Sequence, residues 1–149
     1  MIITNLIGGL GNQLFQFAAG HAAAARCGVD LRVAVDMFDS YRLHQGYELA
    51  RVFDVSPPEA SAAELQHCLG PWRSRFMRRA LGRFVPGTLR QGRAVFQPQF
   101  TYWPGIRELG AGDTYLHGYW QSERFFDDAA ASIRSALVFR SPPAEENAC

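Results

Sequence analysis

With 149 residues, 48% of them hydrophobic and 13% aromatic, the chain is long enough for one ordinary domain with its own core, which excludes a disordered tail or linker. The formal net charge of +1 conceals an asymmetry: from Leu65 to Arg107 there are eight arginines and no acid, so the rest carries seven arginines against fourteen acids. Every basic residue is an arginine, which excludes a lysine-bearing P-loop, and three cysteines without CxxC spacing (Cys27, Cys68 and Cys149) argue against a disulfide scaffold or a zinc site and for a reducing compartment.

Met1 to Ile7 is apolar and β-branched and predicts a buried strand. No charged leader segment precedes it, and no stretch reaches the roughly 20 consecutive apolar residues of a membrane span, so the fold is expected to start at the first residue. Next comes "GGLGNQLFQF", Gly8 to Phe17, with glycines at Gly8, Gly9 and Gly11. Glycine allows positive φ and close approach of the backbone to a ligand, and a helix starting just beyond it aims unpaired N–H groups and a positive dipole end into the loop. That combination suits an anionic or sugar-nucleotide ligand.

Asn12 is placed to cap a helix from about Gln13 to Arg26, closed by Gly28. Leu14, Ala18, His21 and Ala25 form an apolar stripe that Phe15, Phe17 and Ala22 widen, so the helix is expected to be largely buried, with His21 a satisfied core histidine. Val29 to Asp36 reads as a second strand ending in an acid, which completes a β-α-β unit and predicts an α/β fold with a parallel sheet.

Tyr47 to Val55 is mixed in character, and Ala60 to Leu69 has helical composition. Pro71 opens a basic amphipathic segment. The stretch from Trp72 to Arg93 reads as a solvated basic face or as a surface lying on an anionic membrane; nucleic acid is the weakest reading, since no aromatic recognition module accompanies the arginines. Ala94 to Phe100 is expected to be extended, Thr114 to Tyr119 a strand, and Ser122 the cap of a helix running to about Leu137. Phe139 to Cys149, with two prolines and a charge cluster, reads as an inter-domain linker.

The glycine loop meets two of the three positions of a dinucleotide fingerprint, with Leu14 where the third small residue belongs, and Asp36 stands where an acid would hold a ribose. This keeps an NAD(P)-type Rossmann protein open. The loop followed by "LFQFA" resembles much more closely the N-terminal signature of the α-1,2-fucosyltransferases, glycosyltransferase family 11. "HGYWQSERFF", His117 to Phe126, is similar to a second block of that family, and "YELARVFDV" to a weaker one between them. Together they span most of residues 1 to 137. The family's donor-recognition segment, His-x-Arg-Arg-x-Asp-Tyr, does not occur in the chain.

The resemblance implies a Rossmann-like N-terminal domain of a GT-B-type glycosyltransferase, with residues 1 to 138 as the acceptor-side domain and 139 to 149 as the link to a donor-binding domain. It further implies inverting, metal-independent transfer of L-fucose from GDP-L-fucose to the 2-hydroxyl of a galactoside, a lipid-linked acceptor included. The location expected is the cytoplasm, with the Trp72 to Arg93 segment against the inner face of the membrane. A non-catalytic glycan-binding module is the other alternative.

Among site residues, Gly8, Gly9, Gly11, Asn12 and Gln13 are expected to bind substrate through backbone N–H groups and side-chain amides. Asn12 otherwise serves as a helix cap and Gln13 as a tie to a neighbouring loop. His117, Tyr119, Trp120 and Gln121 are expected to face the cleft at a strand end, or else to be core aromatics and backbone-bonding groups. A general base on the acceptor hydroxyl is sought among Asp36, Asp39, Glu48 and Glu123. Asp36 is preferred because it ends a strand beside the cleft, and otherwise it is a turn or cap residue; Asn12 and Asp36 are the catalytic candidates.

Overall fold

A computed structural model describes residues 1–39, 45–74, 89–97 and 100–141. Most of the basic Trp72 to Arg93 segment and most of the tail from Phe139 to Cys149 therefore lie outside the described residues.

The opening strand β1 (Ile2–Asn5) is buried along its whole length, as its continuous apolar run requires when both sheet faces are covered. It is followed by helix α1 (Leu10–Cys27) and strand β2 (Leu31–Ala34). Both strands are shorter than their apolar runs, because Leu6, Ile7, Val35 and Asp36 already belong to the connections. Further on come the single turn α2 (Leu49–Val52), α3 (Ala62–Leu69), β3 (Leu89–Gln91), β4 (Ala94–Phe96), β5 (Thr114–His117) and α4 (Ala130–Ala136).

The sheet order is β2-β1-β5-β4-β3. β2, β1, β5 and β4 run parallel, with Asn5 opposite Ala34 and Phe96 opposite His117, and β3 closes the edge antiparallel to β4. This is the α/β, Rossmann-like arrangement that the β-α-β opening predicts. Its parallel strands all end on one edge, where the loops after β1, β4 and β5 meet.

Two layers cover the sheet. On one face Ala19, Ala23 and Ala24 of α1 pack with Ile2, Val95, Leu116, Trp120 and Phe125. On the other, Leu65, Cys68 and Leu69 of α3 pack on Ile3, Ala94, Phe96 and Tyr115. The alanines let α1 lie close to the sheet, and Gly20 is the closest point: a Cβ there would stand 2.8 Å from the Thr4 side chain. At Gly11 a Cβ would meet nothing within 4 Å. Gly20→Ala is therefore expected to cost about 1 to 3 kcal/mol by overpacking. Gly11→Ala is expected to gain about 0.5 to 1 kcal/mol from helix propensity. Urea midpoints should rank Gly11→Ala above wild type and Gly20→Ala below it, and equal midpoints for the two variants would refute this packing.

Three local expectations are corrected. Helix α1 begins at Leu10 with Gly9 as its N-cap, so Asn12 sits inside the first turn and is not a cap. Ser122 makes no side-chain cap bond; 3-10 turns at Glu123–Phe125 and Asp127–Ala129 follow it, and α4 starts only at Ala130. The reason is Arg107, which bonds Asp127 and the Arg124 carbonyl, while Arg26 grips Asp128 at 2.9 Å and the Phe125 carbonyl at 3.3 Å, so this segment is folded around two arginines. The hydrogen bond from Arg107 holds the Asp127 carboxyl below the usual range. Lastly, His21 is half-buried rather than enclosed, with Nε2 3.1 Å from the Ser132 hydroxyl, and desolvation lowers its pKa.

The chain end remains tied to the fold as far as Arg140. The Asp54 N–H donates to the Val138 carbonyl at 2.7 Å, and the Arg140 N–H donates to Val52 at 3.0 Å.

Candidate functional site

The carboxyl edge of the parallel sheet gathers the loop after β1, the loop after β5 and the residues following β4 and β2. Ligands of open α/β sheets bind at this edge. Gly8 takes φ +80°, a left-handed conformation that turns the chain out of β1. A Cβ on it would lie 2.5 Å from Asn12 Nδ2, so Gly8 also makes room for that side chain. Helix α1 then begins without a side-chain cap and without an acid in its first turn. Its first N–H groups and positive dipole end are thus left to the loop.

Gln13 is fully buried, and both ends of its amide are used. Nε2 donates to the Gly8 and Gly46 carbonyls, both at 2.9 Å, while Oε1 accepts from the Glu48 N–H at 2.9 Å and the Leu49 N–H at 3.1 Å. Gln13 therefore ties the 46–49 loop to the glycine loop. One turn on, the buried Gln16 accepts from the Ile7 N–H at 2.8 Å and donates to the Gly118 carbonyl at 3.1 Å. Gln97, just past β4, accepts from the Trp120 N–H at 2.9 Å and donates to the Thr101 carbonyl at 3.0 Å. Gln16 and Gln97 thus fix the loops after β1, β4 and β5 against one another, and Gln13 adds the 46–49 loop.

The second loop carries an unusual backbone. Trp120 has φ +55°, a left-handed conformation rare for a bulky residue and held here by Gln97 and by complete burial of the indole against Phe125, ring to ring at 5.2 Å. Turning Trp120 inward leaves its neighbours Tyr119 and Gln121 directed outward; Tyr119 is half-buried, with its ring 5.2 Å from that of exposed Phe100, and Gln121 is exposed. Gln121 Nε2 donates to Asn12 Oδ1 at 2.6 Å.

On the α3 side of the same edge, His117 is half-buried between Phe96 and Tyr115. Asn5 Nδ2 lies 3.2 Å from His117 Nδ1. An amide nitrogen can only donate, so this contact makes Nδ1 the acceptor and puts the proton of the neutral ring on Nε2. Asn5 is fully buried, and its Oδ1 has no partner among the described residues.

Of the candidate bases, Asp36 and Asp39 are exposed in a 3-10 turn directly after β2, on the carboxyl edge one strand from β1. Glu48 is ion-paired with Arg51 at 2.9 Å, and Glu123 is exposed. The structure thus brings Gly8, Asn12, Gln13, His117, Trp120 and Gln121 to one edge, with Gln13 and Trp120 turned inward. Asn5, Gln16 and Gln97 were not anticipated. Gln16 had a visible signal, a second polar residue three positions from Gln13 on an otherwise alanine-rich helix.

No helix among the described residues is long and apolar enough to cross a membrane. No family model matches the chain, and no solved structure matches it significantly. Among curated proteins it is similar to an alpha-1,2-colitosyltransferase of Escherichia coli, 29% identical over 138 residues that take in 93% of this chain and 45% of that protein. The chain spans about half the length of the curated relative it matches. That match supports the resemblance to the α-1,2-fucosyltransferase-like glycosyltransferases drawn from the glycine loop and the His117 to Phe126 block.

Proposed function

We propose that this chain is the acceptor-side, N-terminal half of a GT-B-type glycosyltransferase that moves a 6-deoxy-L-hexose, L-fucose in the first instance, from its GDP conjugate to the 2-hydroxyl of a galactoside. One observation carries the reading. The two blocks responsible for the family resemblance, far apart in sequence, touch at the ligand-binding edge of the sheet, through Gln121 to Asn12 at 2.6 Å and Gln16 to Gly118 at 3.1 Å. The similar protein from Escherichia coli is an alpha-1,2-colitosyltransferase, a transferase with the same α-1,2 designation.

In this transfer the acceptor oxygen attacks C1 of the sugar opposite the diphosphate. The C1–O bond breaks, its electron pair leaves with GDP, the hydroxyl proton passes to a base, and the anomeric configuration inverts. Charge builds on the departing diphosphate, and donors must meet it there. Without a metal, the uncapped N–H groups of α1 and the Asn12 amide are the donors this half contributes, and Asp36 is the proposed base. Residues 1 to 138 are proposed as the acceptor-side unit and 139 to 149 as the link to the donor-binding one, a link whose first residues, Phe139 and Arg140, still pack on the unit. The arginine-rich Trp72 to Arg93 segment would hold the enzyme at the cytoplasmic face of a membrane, close to a lipid-linked acceptor.

Competition binding tests the reading. A β-galactoside should bind the chain itself, GDP-fucose should displace a fluorescent GDP reporter from an enzyme containing this half, and NAD should do neither. Binding of NAD in place of GDP-fucose would make this an NAD-type Rossmann protein. Galactoside binding with no response to any nucleotide would favour a glycan-binding module.

A further inference from the structure

We infer that Gln121 is a positioning residue that turns the Asn12 side-chain amide so that it offers its ligand a hydrogen-bond donor and not an acceptor; the identity of that ligand as a nucleotide sugar rests on the function proposed above. A carboxamide has two nearly isosteric ends, so an exposed asparagine can present either one unless a neighbour chooses. Here the neighbour is Gln121, whose Nε2 occupies Asn12 Oδ1 at 2.6 Å. The remaining Nδ2 lies over Gly8, where a Cβ would come within 2.5 Å of it.

The surroundings agree with a donor. Gly9 caps α1 without a side chain, and its first turn holds no acid, so the loop beside Asn12 already presents N–H groups. An amide oxygen turned the same way would oppose them before a diphosphate that gains negative charge as it leaves; an amide N–H joins them. Gln121 can make this choice because its own backbone is fixed, one residue past a Trp120 held at φ +55° by Gln97. Gly8, Gln121 and the strained Trp120 then serve a common end.

The test has two readouts, the first on the isotopically labelled chain and the second on an enzyme containing this half. The first is scalar coupling across the hydrogen bond. Coupling from Gln121 Nε2 to Asn12 Cγ is expected, whereas coupling in the opposite sense, from Asn12 Nδ2 to Gln121 Cδ, or in neither sense, overturns the inference. The second is GDP-fucose affinity, measured at high salt so that through-space repulsion is screened. Gln121→Glu can only accept, so it draws Asn12 Nδ2 towards itself, and affinity should fall about tenfold. Gln121→Ala frees the amide and should cost about threefold. Gln121→Glu binding as well as wild type overturns the inference. Should the chain show the expected coupling while an enzyme containing this half does not bind GDP-fucose, the nucleotide-sugar reading fails and the assigned orientation of Asn12 stands.

Discussion

Gln13→Ala is expected to destabilise the chain by about 3 to 5 kcal/mol, a large fraction of the stability of an ordinary domain. Truncation strands four backbone groups at once: the carbonyls of Gly8 and Gly46 and the N–H groups of Glu48 and Leu49. Each buried group left unpaired costs about 1 to 3 kcal/mol, and water can reach those nearer the surface, which keeps the total below the simple sum. Gln13→Met separates hydrogen bonding from packing, because it fills the space with no polar atom. It should lose nearly as much as the alanine variant in urea unfolding. A methionine variant as stable as wild type would show that only the volume of Gln13 matters.

Asn12→Ala should lower transfer by an enzyme containing this half about 10²- to 10³-fold, the usual consequence of removing one donor from a site of developing negative charge. It should leave stability within about 0.5 kcal/mol, since the side chain caps nothing and, among the described residues, its hydrogen bond to Gln121 is exposed. The two effects separate the readings of Asn12. A helix cap would lose about 1 kcal/mol of stability and no chemistry, whereas an amide directed at the ligand loses rate and KM or kcat with the fold intact. Wild-type turnover in this variant would remove Asn12 from the site.

Much of the fold was legible because periodicity and glycine speak locally. The apolar run at β1, the alanine helix ended by Gly28 at φ +62° and the acid-tipped second strand required no distant partner to be recognised. At the start of α1 Gly9 and Asn12 are both acceptable caps by residue type, and the choice falls to the Gly8 turn, over which Asn12 is folded back. Likewise, nothing local announces that Arg26 and Arg107 reach the Asp127 and Asp128 segment and replace the first part of the expected long final helix with two tight turns before α4.

The site was half legible. Glycine-rich loops and strand-end aromatics mark themselves, but Gln13, Gln16 and Gln97 owe their importance to carbonyls and N–H groups that only the tertiary fold brings near. Trp120 illustrates the same limit. Its indole is a core residue, as one sequence reading allowed, while its left-handed backbone directs Tyr119 and Gln121 outward, which residue type alone does not reveal.

The most direct measurement is an amide-resolved NMR titration of an enzyme containing this half with GDP-fucose, lactose and NAD, each at millimolar concentration. The account predicts that GDP-fucose and lactose shift the Gly8 to Gln13 and His117 to Gln121 resonances together while NAD leaves them in place. Shifts by NAD alone, or sugar-dependent shifts confined to residues away from the carboxyl edge of the sheet, would contradict it.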